Sequence, residues 1–329
     1  MSSDSWRDHA RPTLSVVIVS WNVRDLLRQA LQSIYNAWGD HTGLEVIVVD
    51  NASHDHTPTM IRKEFPEVRL IASTENRGYG GGANLGIAQA QGEFILILNP
   101  DVEVTDTALH RLVQYARQHP KAGLVAPQLL TPEGTVQSSR RRFPTLPILF
   151  LESTWLQDFL PCRIARYYYA KDVSENVVQD VDWVQGAALL VRREVAEETG
   201  GFDEDFFMYS EELDWCRRIK KAGWRIVYLP KARIVHHEGK SSEQVVPARH
   251  IYFQSSKVHY TRKYHGVFIA EILRYWLLGQ YIWQLSVEGV KWLLGHRRPL
   301  RVTRIAAYRQ VLRSGLRHRG LTRDSQERT

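Results

Sequence analysis

Seven consecutive residues near the amino end, Leu14-Ser15-Val16-Val17-Ile18-Val19-Ser20, are mostly β-branched and offer almost no polar break. A strand with one wet face alternates apolar and polar side chains. An unbroken run instead belongs to a strand covered on both faces, as in a parallel sheet. Similar runs follow at Leu44 to Val49, around Val68 to Ile71 and at Glu93 to Leu98. The segments between them have helical spacing. Val23 to Trp38 carries Leu26, Leu27, Ala30, Leu31, Ile34 and Tyr35 as one stripe, and shorter helices are expected near Pro58 to Phe65 and over Ala83 to Ala90. Repeated strand–helix alternation predicts a doubly wound α/β sheet with right-handed crossovers.

The periodicity fails from Arg140 to Gln179, where Pro144, Pro147 and Pro161 interrupt a stretch rich in aromatic residues. This stretch reads as an insertion or lid. Patterning resumes at Val181 to Val191, with helices near Arg193 to Thr199 and over Glu212 to Ala222, and strands at Arg225 to Leu229 and Ala232 to Val235. The division that follows is one domain over 12–245, made of halves at 12–130 and 181–245 around the insertion at 140–180. An extension over 246–329 completes the chain. With 43% hydrophobic and 24% charged residues, the balance is that of a folded soluble protein. Cys162 and Cys216 form no CxxC pair, which argues against a disulfide scaffold or structural zinc and fits a reducing compartment. Met1 to Arg11 is polar and lacks the apolar core of a signal peptide.

Open α/β sheets bind ligands at the carboxyl ends of their strands, and the notable polar residues fall there. Ser20-Trp21-Asn22 closes the first strand and Asp50-Asn51-Ala52-Ser53 the second. Asp50 offers only hydrogen-bond acceptors, which suits a base or ribose, although an Asx turn or helix cap explains the same residues. Glu75 to Asn84 is a glycine-rich loop running into a helix. It either brings backbone N–H groups to a phosphate or simply turns the chain, and it is neither a P-loop nor GxGxxG. Asp101, after Asn99-Pro100, either holds a hard divalent cation beside a diphosphate or makes the turn. Later, Glu211, Glu212 and Asp214 crowd the start of one helix. The helix dipole favours acids there. Three in four residues after an aromatic cluster exceed what a cap needs, and a partly buried carboxylate can take a proton from a hydroxyl. His236 and His237 end the last strand, one of them either a metal or diphosphate contact or a surface histidine.

Taken together and in this order, these segments resemble the family 2 glycosyltransferases, within them the rhamnosyltransferase-like branch that builds bacterial polysaccharides. The pieces are Ser15-Val-Val-Ile-Val-Ser-Trp-Asn22, Val48-Val-Asp-Asn-Ala-Ser53, Glu75-Asn-Arg-Gly-Tyr-Gly80 with Asn84, and Leu98-Asn-Pro-Asp-Val102. Trp183-Val-Gln-Gly186, Gly201-Phe-Asp-Glu204, Glu211-Glu-Leu-Asp-Trp-Cys216 and His236 complete them, so that the match spans Leu14 to Ser241. The resemblance implies a GT-A fold with a mixed sheet and inverting transfer from a nucleotide-diphosphate sugar, with Mg²⁺ or Mn²⁺. By position it implies that Asp50 holds the nucleoside, with Asn76, Arg77 and Gly78 lining the same pocket. Ser20, Asn22, Asn51, Ser53, Asn84, Asn99 and Gly186 belong to the donor-binding motifs. Asp101 falls at the metal-binding D-x-D position, His236 at the later metal or diphosphate position, and Glu212 at the general base beside Glu211. Two departures stand out. Asn99-Pro100-Asp101 has one carboxylate where the full motif has two, which implies a lighter grip on the metal. Glu212 replaces the usual Asp and is a methylene longer, leaving Asp214 as the fallback base, turned to another side by helix spacing.

His265 to Gly295 is aromatic and aliphatic, but its longest charge-free run, Tyr275 to Val287, is thirteen residues. A spanning helix needs roughly twenty, so an interfacial helix is expected. From Gly289 onward eleven Lys or Arg face two acids, which suits anionic headgroups. A helical hairpin packed on the domain, or a homodimer interface, is the alternative. No nucleic-acid motif accompanies the basic tail. The resulting expectation is a membrane-associating transferase, peripheral on the cytoplasmic face of the cell membrane. It would move a sugar such as rhamnose to a glycan or lipid-linked acceptor. A non-catalytic nucleotide-sugar-binding protein on the same fold is the reading from another class, and it needs no acid cluster.

Overall fold

The structure, a computed structural model, describes residues 11–237 and 246–317. Its first part runs β1 (Leu14–Ser20), α1 (Arg24–Trp38), β2 (Leu44–Asp50), α2 (Thr57–Glu64), β3 (Arg69–Ala72), α3 (Gly78–Gln89), β4 (Phe94–Leu98), β5 (Val102–Val104), α4 (Ala108–Gln118) and β6 (Ala122–Leu130). The irregular middle holds β7 (Arg140–Arg141), α5 (Leu146–Leu151), α6 (Cys162–Tyr168) and β8 (Gln179–Asp180). Then come β9 (Trp183–Val184), β10 (Ala188–Arg192), α7 (Arg193–Thr199), α8 (Glu211–Lys221) and β11 (Arg225–His236), and last α9 (Val246–His265), α10 (Val267–Leu293) and α11 (Arg298–Ser314). The boundary expected at residue 245, the motif residue Ser241 and the tail arginines Arg319, Arg323 and Arg328 lie outside the described residues.

The main sheet has the order β3-β2-β1-β4-β10-β6-β11-β5, with β8 on β11. β1 is buried throughout and pairs in parallel with β2 and β4. The alternation of its side chains supplies two cores. Val16 and Ile18 meet Leu27, Leu31 and Ile34 of α1 on one face, whereas Val17 and Val19 join Ala83 of α3 and Trp215 of α8 on the other. The mixed character comes from β10, which runs antiparallel to both β4 and β6 and joins two parallel blocks.

Three sequence expectations change. The glycine-rich segment is not a loop: α3 begins at Gly78 and contains Gly80, Gly81 and Gly82. Close packing is the reason. A Cβ at Gly82 would lie 2.8 Å from Val19 Cγ1, and one at Gly86 would lie 2.3 Å from Val17 Cγ1. Without those hydrogens-only positions α3 could not settle on β1. The strands expected at Arg225 to Leu229 and Ala232 to Val235 are one strand, irregular between Leu229 and Arg233. The run from Val181 to Val191 splits into β9 and β10, because Gln185, Gly186 and Ala187 leave the ladder to line a cavity.

The C-terminal helices form a hairpin-like bundle against the domain. Ala270, Leu273, Leu277 and Tyr281 of α10 share a buried cluster with Val258 and Tyr260 of α9, Leu149 of α5 and Leu213 of α8. The opposite side of α10 stays exposed, with Phe268, Ile272, Tyr275, Ile282 and Trp283 outward. Among the described residues no helix is long and apolar enough to cross a membrane.

Substituting Gly86 by Ala tests the close approach. Alanine favours helix by about 1 kcal/mol, but the buried Val17 cannot move aside without repacking β1. We expect a net loss of about 1–3 kcal/mol, read as a lower thermal midpoint.

Candidate active site

The carboxyl ends of β1, β2 and β4 open into a cavity of about 900 Å³. The turns at those ends are tied together before any ligand arrives. Asn22 N–H donates to Ser53 Oγ at 3.0 Å, and Asn22 Oδ1 accepts from His54 N–H at 2.8 Å. Asn51 donates to Asn76 Oδ1 and Gly78 O, each at 2.9 Å, and accepts from Arg77 N–H at 3.0 Å. Asn51 and Asn76 therefore shape the wall as well as line it. Asp50 accepts from Ser53 N–H at 3.1 Å through Oδ2, while its Oδ1 and Ser20 Oγ are buried without a partner among the described residues. An unmatched buried acceptor is costly, which marks Asp50 as an atom awaiting a donor.

Asp101 and His236 meet deeper in the cavity, both nearly fully buried, with His236 Nε2 3.5 Å from Asp101 Oδ1 and 3.4 Å from Asn99 Nδ2. The tautomer follows from the neighbours. Gln137 Nε2 donates to the His236 carbonyl at 2.7 Å, so its Oε1 is the acceptor that faces His236 Nδ1 at 3.0 Å. Nδ1 then carries the proton and Nε2 points a lone pair at a carboxylate oxygen. Two acceptors facing one another fit a cation between them, and two ligands of one octahedral ion lie about 3 Å apart. The residues suit a divalent metal, with Gln137 orienting the histidine from behind. A second cluster, Asp203, Asp205 and His259, lies outside the cavity lining, and Lys263 already pairs with Asp203 at 2.6 Å.

Glu211 and Glu212 line the same cavity. Tyr209 and Ser210 both adopt left-handed φ, at 69° and 66°, a strained entry that turns the first residues of α8 into the cavity. Burial pushes both carboxyl groups above the usual range, and the charge of Glu212 raises Glu211 well above it. Backbone groups at Gly186, Leu213 and Ser210 favour the charged form of Glu212. Two negative charges side by side are therefore disfavoured here, and the pair holds and releases its protons as one unit. Gly186 leaves room here, since an added Cβ would sit 3.5 Å from Glu212 Cβ. Its carbonyl accepts from Tyr79 OH at 3.1 Å.

Two expected site residues serve elsewhere in the structure. Asn84 does not line the cavity; it holds the Phe202 backbone at both N–H and C=O, 2.9 Å each. Asp214 also turns away, fully buried between Arg218 at 2.8 Å, Lys263 at 2.7 Å and Tyr264 OH at 2.7 Å. Arg77, Ser20, Asp50, Asn22 and Ser53 are not among the lining residues: Ser20 and Asp50 are buried, and Arg77 is exposed beside Glu75 at 3.8 Å. Conversely, Tyr79, Gln137 and the cavity face of α9 join the site without being expected from the sequence. Gln137 lies outside every regular element, and α9 lacks one apolar stripe because it is packed on several sides.

The sequence profile of Glycosyl transferase family 2 matches residues 15–176. The N-acetylglucosaminyl-diphospho-decaprenol L-rhamnosyltransferase of Mycobacterium tuberculosis is 34% identical over 249 residues, covering 72% of this chain and 80% of that protein. Rhamnosyltransferase WbbL of Escherichia coli K12 is 26% identical over 232 residues, 68% and 82% of the two chains. Among solved structures, the mannosyltransferase PcManGT from Pyrobaculum calidifontis, in complex with GDP-Man and Mn²⁺, superposes with a TM-score of 0.56 at 19% identity. It covers 93% of this chain and 88% of that one. That likeness carries the fold, a GT-A-like mixed α/β architecture.

Asp214→Ala would leave Arg218 and Lys263 without their shared buried carboxylate. A loss of about 3–5 kcal/mol is expected, measurable by chemical denaturation, and Asp214→Asn should lose less because the side-chain shape remains.

Proposed function

The chain belongs to glycosyl transferase family 2 and is a glycosyltransferase, and from that premise we propose an inverting transfer of a sugar, with rhamnose the first candidate, onto a lipid-linked glycan acceptor. The observation that carries this reading is the adjacent Glu211–Glu212 carboxyl pair lining the same cavity as Asp101 and His236. A binding protein needs no such pair.

In this reading the donor's nucleoside rests between the β1 and β2 ends, against the wall shaped by Asn51 and Asn76, with Asp50 Oδ1 as the acceptor for a donor hydrogen. Asp101 and His236 would hold Mg²⁺ or Mn²⁺, which supplies positive charge for the diphosphate as it leaves. Glu212 receives the proton of the acceptor hydroxyl while that oxygen bonds to the anomeric carbon. The bond from that carbon to the diphosphate oxygen breaks on the opposite face, and the nucleoside diphosphate departs with the electron pair. Glu211, raised well above the usual range by burial and by the charge of Glu212, disfavours a second negative charge in the pocket. Gly186 and Tyr79 fix the space beside Glu212.

The relatives' names support rhamnose and a diphospho-polyprenol acceptor. Peripheral attachment to an anionic membrane is supported by the outward stripe of α10 and by exposed Lys291, Arg297 and Arg298 at its end.

Three outcomes test the proposal. Glu212→Gln should lower kcat by about 10²–10⁴-fold with little change in donor affinity, and unchanged turnover would remove Glu212 from the mechanism. Because the base works only when deprotonated and its pKa is raised, the acid limb of the kcat/KM profile should lie above that of an ordinary glutamate, with activity appearing as pH rises through it. A screen of nucleotide sugars by thermal shift should find one that stabilises the native protein by about 2.7 kcal/mol at a hundredfold excess over its Kd, and by more with Mn²⁺ than without at the same concentration. Asp101→Ala should abolish the metal increment.

A further inference from the structure

Three cationic side chains line the cavity besides its histidines: Arg141, Arg249 and Lys257. Their surroundings differ. Lys257, nearly fully buried, donates to the Glu152 carbonyl at 2.8 Å and to its carboxylate at 3.2 Å, which fastens α9 to α5. Arg141 lies over the Tyr169 ring and donates to Ser138 Oγ at 3.0 Å. Arg249 has no ion pair among the described residues and is exposed within the cavity wall.

The position of Arg249 is electrostatically unusual. It stands in the first turn of α9, a helix of twenty residues with no acid in that turn. The dipole of a helix opposes a cation at its amino end and attracts an anion there. The same stretch of helix is held in place from the catalytic side: Tyr252 packs on Phe207 with ring centroids 4.7 Å apart, and Phe253 on Tyr209 at 5.6 Å. Phe207 in turn touches the turn at Gly78, where its carbonyl accepts from Tyr79 N–H at 2.9 Å. An arginine fork is thereby presented to the cavity that Asp101, Glu211 and Glu212 also line.

We propose that Arg249 is a diphosphate contact, binding a substrate diphosphate with its planar guanidinium. The proposal rests on the transfer reading above, in which both substrates bring a diphosphate to this cavity. The donor carries it as the leaving group, and the acceptor carries it between sugar and lipid. Phosphate geometry suits a bidentate arginine better than a lysine.

The test uses the full-length protein, wild type beside Arg249→Ala and Arg249→Lys. KM is measured separately for the nucleotide-sugar donor and for an N-acetylglucosaminyl-diphospho-polyprenol, and for a neutral-lipid glycoside of the same sugar. Loss of a charge-assisted contact predicts a rise of about 10–100-fold in the KM of one diphosphate substrate, with Arg249→Lys in between. A rise confined to the donor assigns Arg249 to the leaving diphosphate. A rise for the diphospho-lipid that is absent with the neutral-lipid glycoside assigns it to the acceptor. Unchanged KM values for both, at an unchanged thermal midpoint, overturn the proposal. Inorganic pyrophosphate provides a readout independent of turnover: it should protect the wild type against heat and protect Arg249→Ala less. Equal protection of both counts against Arg249. A wild type that transfers no sugar yet loses pyrophosphate protection on substitution would sink the transfer reading and leave this contact standing.

Discussion

The antiparallel insertion of β10 between β4 and β6 is the constraint on which the rest depends. Without residues 188–192 the two parallel blocks have no common ladder. Because Gln185 to Ala187 immediately precede that strand, the same pairing sets the cavity floor. Asn99 N–H donates to the Ala187 carbonyl at 2.9 Å, so the turn before Asp101 is registered by the strand that also brings Gly186 beside Glu212. Sheet assembly and site assembly are one event.

A second theme is the use of missing side chains. Gly82 and Gly86 let α3 approach β1, and at Gly78, where φ is +73°, an added Cβ would lie 2.2 Å from the Phe207 carbonyl oxygen. These contacts join the turn before α3 to the segment that leads into α8. The glycines thus act through backbone proximity, and the helix they permit carries Tyr79 to Gly186. Asp214 plays a comparable part from the other direction. Its buried pairing with Lys263 of α9 couples α8 to the C-terminal bundle, so the extension is integral to the packing of α8.

Much of this was legible from residues alone. The unbroken apolar run of β1, the stripe of α1 and the acids opening α8 reflect local physical requirements: two covered faces, one covered face, and charge at a helix end. The clustering of Asp101 and the His236 strand end was legible only through the ordered motifs, since each has an ordinary turn or surface explanation. Asn84 shows the limit of that route. It sits in a motif yet spends its hydrogen bonds on Phe202, because a residue's motif position does not say which way its amide faces.

The sequence by itself determined that a doubly wound α/β sheet would form and that carboxylates would gather at strand ends, because hydrophobic period and chain punctuation are local properties. Tertiary structure alone decided the glycine-rich helix, the tautomer of His236, the raised carboxyl groups of Glu211 and Glu212, and the exposed placement of Arg249 in the cavity wall. Each of these is set by atoms distant in sequence. Val17 and Val19 shape the first, Gln137 the second, burial and the backbone at Gly186 the third, and the packing of α9 on Phe207 and Tyr209 the last. Desolvation and hydrogen-bond direction have no signature along a chain; they exist once side chains share a dry space.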